Sequence, residues 1–307
     1  MASTTFGLIG LGRMGANMAR RLAQAGHPVL AYDPAEAARA SVAGERGLST
    51  VAALPKLVEG LTAPRIVWIM VPAGAPTEQT IESLVPLLAA GDLIVDGGNA
   101  DFRDSLRRAQ ALKARRIEFV DAGVSGGIWG LSAGYGLMVG GSQAAVQRLT
   151  PYLKALAPAP DQGWVHCGAA GSGHYVKMVH NGIEYGLMQA YAEGFALMQA
   201  QPEFKLDLAA IAEAWRSGTV IRSWLLDLVA GALKGDAELT QVPPYVADSG
   251  EGRWTLREGL NQGTPTPVLA AALMARFASQ GKGDYAARFL AQLRHVFGGH
   301  PTGSGPR

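Results

Sequence analysis

Phe6-Gly7-Leu8-Ile9-Gly10-Leu11-Gly12-Arg13-Met14-Gly15-Ala16-Asn17-Met18-Ala19-Arg20 opens the chain with G-x-G-x-x-G at Gly10, Gly12 and Gly15. An apolar run precedes the glycines and a helical pattern follows them. The three glycines permit a tight turn, close approach of a pyrophosphate and close packing of helix on strand, while the helix N-terminus offers amide donors to phosphate oxygens. A second apolar run, Val29 to Tyr32, ends at Asp33, about 20 residues on, where a carboxylate suits the adenine ribose hydroxyls. That carboxylate repels a 2′-phosphate, and no arginine follows it immediately, so NAD is favoured over NADP. The alternative reading of Asp33 is a turn or helix-capping residue before Pro34.

Outward from this stretch, the first half of the chain alternates strand-like runs with helical patterns. Strands are expected at 6–9, 29–32, 66–71, 93–96, 117–121, 137–139 and 164–167, with helices between several of them at 15–25, 77–88 and 101–114. Such alternation predicts a Rossmann-like, doubly wound parallel sheet with helices on both faces. Beyond about residue 170 only helical patterns remain, at 174–201, 206–217, 222–232, 268–280 and 285–297. The expected organisation is a dinucleotide-binding α/β domain over 1–170, an all-α domain over 171–297 and a Gly/Pro-rich tail over 298–307.

The chain has 307 residues, 48% of them hydrophobic and 17% charged, with a net charge of +2. That balance gives no reason to expect nucleic acid or a membrane surface as partner. Cys167 is the single cysteine, which excludes an internal disulfide and fits a reducing compartment. No apolar run suffices to span a bilayer and no signal peptide is visible, so a cytoplasmic protein is expected. No metal-ligand spacing appears anywhere, and His166 beside Cys167 reads as strand interior.

The helical stretch Gly173-His174-Tyr175-Val176-Lys177-Met178-Val179-His180-Asn181-Gly182-Ile183-Glu184-Tyr185-Gly186 sets Lys177 and Glu184 seven residues apart, hence on one helical face. The segment is apolar nearly all round, which predicts a buried helix. A buried Lys and Glu are either a structural ion pair or an acid–base pair whose pKa values are moved by desolvation. This segment alone leaves both open.

Lys177 to Tyr185 resembles the catalytic helix of the 6-phosphogluconate dehydrogenase family. Asp96-Gly97-Gly98-Asn99, Ser125-Gly126-Gly127, Glu251-Gly252-Arg253-Trp254-Thr255, Met274-Ala275-Arg276 and Arg294-His295-Val296-Phe297-Gly298-Gly299-His300 are similar to further motifs of that family, in its order. The resemblance implies oxidative decarboxylation of 6-phosphogluconate to ribulose 5-phosphate and carbon dioxide, without a metal, in pentose phosphate and gluconate metabolism. Lys177 would be the general base on the C3 hydroxyl, and Glu184 the acid that protonates C1 of the enediol. Asn99, Ser125, Gly126, Gly127, His180 and Asn181 would hold the sugar acid. Tyr185, Arg253 and Arg276 would bind the phosphate, with Arg294 and His300 reaching in from a second subunit of a homodimer or tetramer. Gly10, Leu11, Gly12, Arg13, Met14, Gly15, Asp33, Val71 and Asn99 would form the NAD site, with NADP as a weaker alternative.

Taken singly, the Ser-Gly-Gly loop could be only a turn and each arginine only a surface charge. The chain is shorter than the family's long form, which carries a further helical repeat before its tail. Related β-hydroxyacid dehydrogenases share the glycine opening and the helix lysine, but usually lack the Asp-Gly-Gly-Asn loop, the glutamate and the Arg…His tail. A catalytically idle NAD-binding protein would be expected to have lost Lys177, Asn181 or Glu184, and all three are present.

Overall fold

The computed structural model describes residues 4–298. It divides into two compact units, Met1–His180 and Asn181–Arg307.

The first unit is built on strands β1 (Thr4–Ile9), β2 (Val29–Tyr32), β3 (Leu48–Val51), β4 (Leu61–Ile69), β5 (Leu93–Asp96), β6 (Glu118–Ser125), β7 (Gly136–Gly141) and β8 (Trp164–Gly168). They form one sheet in the order β3-β2-β1-β4-β5-β6-β7-β8. Every neighbouring pair is parallel except β6 and β7, which are antiparallel. The expected parallel sheet is therefore reversed at one joint, because the connection over residues 126–135 turns the chain straight back beside β6. β3 was not expected. It is an edge strand, Leu-Ser-Thr-Val, with one buried side chain and a polar middle, so no apolar run marks it.

Helices α1 (Arg13–Gln24), α2 (Glu36–Ala40), α3 (Leu54–Glu59), α4 (Ala75–Leu84), α5 (Phe102–Lys113), α6 (Gly130–Ala133) and α7 (Gln143–Leu156) belong to this unit. Alternate side chains of each strand go to opposite faces. Phe6, Leu8, Trp68, Val95 and Val120 pack with Met18 and Leu22 of α1 and Leu149 and Leu153 of α7. Ile9, Val67, Ile69, Ile94 and Phe119 pack with Leu57 of α3, Ile81 and Leu84 of α4 and Leu112 of α5. Both faces are covered, so the sheet is rigid and its carboxyl edge is a fixed platform. Strand order reverses between β1 and β4, and the crevice at such a reversal is where open α/β sheets take ligands.

α8 (Ser172–Gln199) starts in the first unit and ends in the second, which continues with α9 (Leu208–Trp215), α10 (Trp224–Gly235), α11 (Glu251–Gln262), α12 (Pro267–Ser279) and α13 (Asp284–Gly298). Tyr191 and Phe195 pack on Ala212 of α9 and on Leu226, Ala230 and Leu233 of α10. Tyr185 and Met188 pack on Leu256 of α11 and on Ala272 and Leu273 of α12. α11 was not expected as an element, since its run Glu-Gly-Arg-Trp-Thr-Leu-Arg-Glu-Gly mixes charge with glycine. The expectation that α8 is buried all round holds at Met178 and Tyr185 but not at Ile183, Leu187 and Leu197, which are 52%, 47% and 75% exposed. Among the described residues no helix is long and apolar enough to cross a membrane.

Candidate active site

The glycine loop joins β1 to α1. An added Cβ at Gly15 would overlap the carbonyl oxygen of Gly10, which is the close helix–strand contact the motif requires. A Cβ at Gly12 would meet nothing, so open space stands over the loop there. Gly12 is also the N-cap of α1 and no side chain caps that end. The first amides of the helix are thus available to an anion, and the residues present fit a dinucleotide's pyrophosphate. Leu11 is buried, and its contribution is its backbone: its N–H donates to Asp33 Oδ2 at 2.7 Å. Asp33 Oδ1 accepts the Ala35 N–H at 2.8 Å. The carboxylate therefore makes the turn before Pro34 and ties β2's end to the glycine loop. Each of its oxygens keeps a lone pair for a ribose hydroxyl. Gly10, Gly12, Asp33 and Val71 line a cleft of about 490 Å³ together with Tyr32, Leu54 and Met70. Arg13 is exposed and Met14 half-buried at the start of α1.

At the next strand end Asp96 is fully buried, and its carboxylate meets Arg108 Nη1 of α5 at 2.8 Å. Removing one partner of such a pair costs about 3–5 kcal/mol, because a buried charge is left alone. Asp96 also accepts the Gly98 N–H at 3.1 Å, so the ion pair fixes the Gly97-Gly98-Asn99 loop. Asn99 has φ +51°, and its amide pairs twice with β6: Oδ1 accepts the Val124 N–H at 2.9 Å and Nδ2 donates to the Val124 carbonyl at 3.1 Å. The structure thus uses Asn99 to clamp its loop to the end of β6, leaving one amide hydrogen for a ligand. The clamped neighbour is Ser125, the last residue of β6, followed by Gly126 and Gly127 in a tight turn.

The start of α8 is held by Asp121, an interior residue of β6. Its carboxylate accepts the N–H of Gly171 at 2.5 Å and of His174 at 2.7 Å. Burial pushes the Asp121 carboxyl up, against the opposing pull of His174 and the backbone amides. The His174 ring is buried and its Nδ1 lies 2.8 Å from Ser105 Oγ of α5. Lys177, 5% exposed, rests on Gly123 of β6, where an added Cβ would overlap its own Cβ. Lys177 Nζ lies 3.3 Å from His180 Nδ1. Sequence reasoning passed over Asp121, His174 and Ser105. The available signal was a carboxylate inside the apolar run Phe119-Val120-Asp121-Ala122.

In the helical unit, Glu184 is half-buried, one residue before the buried Tyr185. Arg276 stacks on the Tyr185 ring, its guanidinium carbon 3.5 Å from the centroid, and its Nη1 donates to the Ala247 carbonyl at 2.8 Å. Tyr185 Oη is 3.2 Å from Ser249 Oγ. Arg253 pairs with Asp248 through Nε and lies 4.4 Å from the Phe277 ring centroid. Tyr185, Arg253 and Arg276, named separately from the sequence, thus converge on the segment 247–253. Asp248 and Ser249 were missed, although Asp-Ser-Gly directly precedes the arginine motif. Asn181 is half-buried at the start of this unit. Arg294 is exposed on α13, and His300 lies outside the described residues. Among the described residues no group of three His, Cys, Asp or Glu could hold a metal ion.

Comparison with known proteins shows the family of the chain. The model of the NAD binding domain of 6-phosphogluconate dehydrogenase matches residues 5–169, and that of the 6-phosphogluconate dehydrogenase C-terminal domain matches residues 173–296. An NAD(+)-dependent, decarboxylating 6-phosphogluconate dehydrogenase of Haloferax volcanii is 44% identical over 295 residues, covering 96% of this chain and 97% of the relative. A putative 6-phosphogluconate dehydrogenase of Bacillus subtilis is 39% identical over 298 residues, 96% of this chain and 98% of the relative. The solved 6-phosphogluconate dehydrogenase of Plasmodium falciparum superposes with a TM-score of 0.83 at 29% identity, over 95% of this chain but only 64% of that longer one. A 3-hydroxyisobutyrate dehydrogenase of Salmonella typhimurium, at 22% identity and a TM-score of 0.76, shares the fold. With both domain models matched and near-full-length relatives well above 30% identity, the chain belongs to the 6-phosphogluconate dehydrogenase family.

Proposed function

We propose that this chain converts 6-phosphogluconate to ribulose 5-phosphate and carbon dioxide, acting in the cytoplasm. The observation that supports this best is the lysine buried against Gly123, on the same helix as Glu184 two turns on, with Tyr185 next in sequence amid paired arginines. NAD, held by the glycine loop and Asp33, supplies the hydride acceptor. Residues 1–170 form the dinucleotide-binding domain and 171–297 the all-helical substrate and dimerisation domain.

Lys177 takes the proton of the C3 hydroxyl as C3 is oxidised. The resulting 3-keto acid loses its carboxyl group, the electron pair passing toward the C3 oxygen, where the protonated Lys177 stabilises it. Glu184 then protonates the carbon left behind, C1 of the product. No metal is needed, because a β-keto acid decarboxylates once its carbonyl is polarised. Ser125, Gly126, Gly127, Asn99, His180 and Asn181 hold the sugar acid. Tyr185, Arg253 and Arg276 hold the phosphate, for which the planar guanidinium fork is suited. Arg294 and His300, with the tail over 298–307, complete the site of a neighbouring subunit in a homodimer or tetramer.

The test is an assay of 6-phosphogluconate with NAD and no added metal. Carbon dioxide and NADH in equal amounts are expected, with NADP a poorer acceptor. NADH without carbon dioxide, or activity confined to unphosphorylated hydroxy acids, overturns the reading.

A further inference from the structure

Arg253 is held by a carboxylate of its own chain. Its Nε donates to Asp248, while the other Asp248 oxygen accepts the Gly250 N–H at 3.0 Å. The Asp248 side chain is 5% exposed and that of Arg253 is 49% exposed. The anion is thus the fixed member of the pair and the arginine the movable one. A second carboxylate stands close by: Glu251 accepts the hydroxyl of Ser249, which itself meets Tyr185 Oη. Arg276 is tied to the same segment through the Ala247 carbonyl. The surrounding cations are Arg253, Arg276 and Lys282, whose Nζ lies 5.1 Å from the Phe277 ring centroid that Arg253 also faces.

We propose that Asp248 is a resident competitor in the phosphate site, an anion that occupies Arg253 and that an incoming phosphate must displace. This rests on the reading of Arg253 as a phosphate ligand. Displacement weakens every phosphate ligand by a similar factor, but the effect is decisive for weak ones. A sugar acid phosphate has hydroxyl and carboxylate contacts to offset it, whereas inorganic phosphate has only the clamp. Asp248 thereby sets a threshold that free phosphate fails to cross.

The experiment is an equilibrium titration of the full-length protein with inorganic phosphate, comparing wild type with Asp248→Asn, Asp248→Ser and Arg253→Ala. Asn keeps an acceptor for the Gly250 N–H and removes the charge. Should Asp248→Asn fail to fold, Ser caps Gly250 with its hydroxyl and serves instead. Loss of one partly exposed ion pair predicts phosphate binding about three- to fivefold tighter in the Asp248 variants and weaker in Arg253→Ala. The inhibition constant of phosphate against 6-phosphogluconate should fall by the same factor. If the Asp248 variants bind phosphate no better than wild type while Arg253→Ala binds it worse, the competitor role is overturned and the clamp stands. If Arg253→Ala binds phosphate and 6-phosphogluconate as wild type does, the clamp and the competitor fall together.

Discussion

Gly123 of β6 and Lys177 of α8 touch so closely that no side chain fits between them. A Cβ on Gly123 would overlap the lysine's Cβ and crowd its Cγ at 2.9 Å. Two residues upstream, the Asp121 carboxylate accepts the Gly171 and His174 amides and so fixes the first turn of the same helix. Strand and helix therefore agree, through two separate contacts, on where the lysine stands.

Gly123→Ala is predicted to displace Lys177 without touching the glycine loop. Overpacking of this kind costs about 1–3 kcal/mol of stability, and a displacement of about 1 Å at a reacting group lowers turnover by roughly a hundredfold. NAD affinity should stay at the wild-type value, as read by fluorescence titration. A variant that melts earlier yet turns over normally would show that the contact serves packing alone.

Glu184→Gln keeps the shape of the side chain and removes its transferable proton. Since general acid catalysis contributes about 10²- to 10⁴-fold, kcat should fall by that order while the KM for 6-phosphogluconate changes little. Steady-state kinetics with both parameters resolved decides the matter. A rise in KM at constant kcat would reassign Glu184 to substrate binding.

The glycine loop, the carboxylate at Asp33 and the places of the apolar strands along the chain were legible because each follows from a local rule: a turn that needs glycine, a spacing, a run of buried side chains. The direction of β7 was not, because an apolar run such as Leu137-Met138-Val139 reads the same in either orientation. The helix that carries Lys177 and Glu184 was legible from its sequence, but what anchors it was not. Asp121, Ser105 and His174 come from a strand and two helices, and only the fold makes them neighbours. Asn99 shows the same limit from the other side. Its motif drew notice to a ligand role, whereas its amide is engaged twice with the backbone of Val124. Asp248 escaped notice because an acidic residue before a glycine reads as an ordinary turn until Arg253 is seen to lean on it.

Asp33 joins β2 to the glycine loop and carries the charge expected to disfavour a 2′-phosphate. In Asp33→Asn one amide oxygen must serve both the Leu11 and Ala35 amides, so NAD affinity should drop modestly. The charge is gone, however, and the ratio of NADP to NAD affinity should rise on the order of tenfold. Paired titrations with the two dinucleotides give this ratio directly. An unchanged ratio would assign Asp33 to loop architecture rather than cofactor choice.

Glu78 of α4 bridges Arg107 at 2.7 Å and Arg108 at 3.0 Å, so it braces the arginine that neutralises buried Asp96. Its hydrogen bond with Arg107, then that with Arg108, lowers the Glu78 pKa from 4.5 to about 2 against an opposing push from burial. A carboxyl whose folded-state pKa is depressed contributes stability that is fully present above its unfolded value. That contribution is lost as pH falls through the folded value. Glu78→Gln should therefore melt below wild type at neutral pH, by an amount that stays constant down to about pH 4.5 and shrinks toward zero near pH 2. Thermal melts of the two proteins across that range provide the check. A deficit that persists undiminished at pH 2 would mean that packing of the Glu78 side chain, and not its charge, supports the arginine pair.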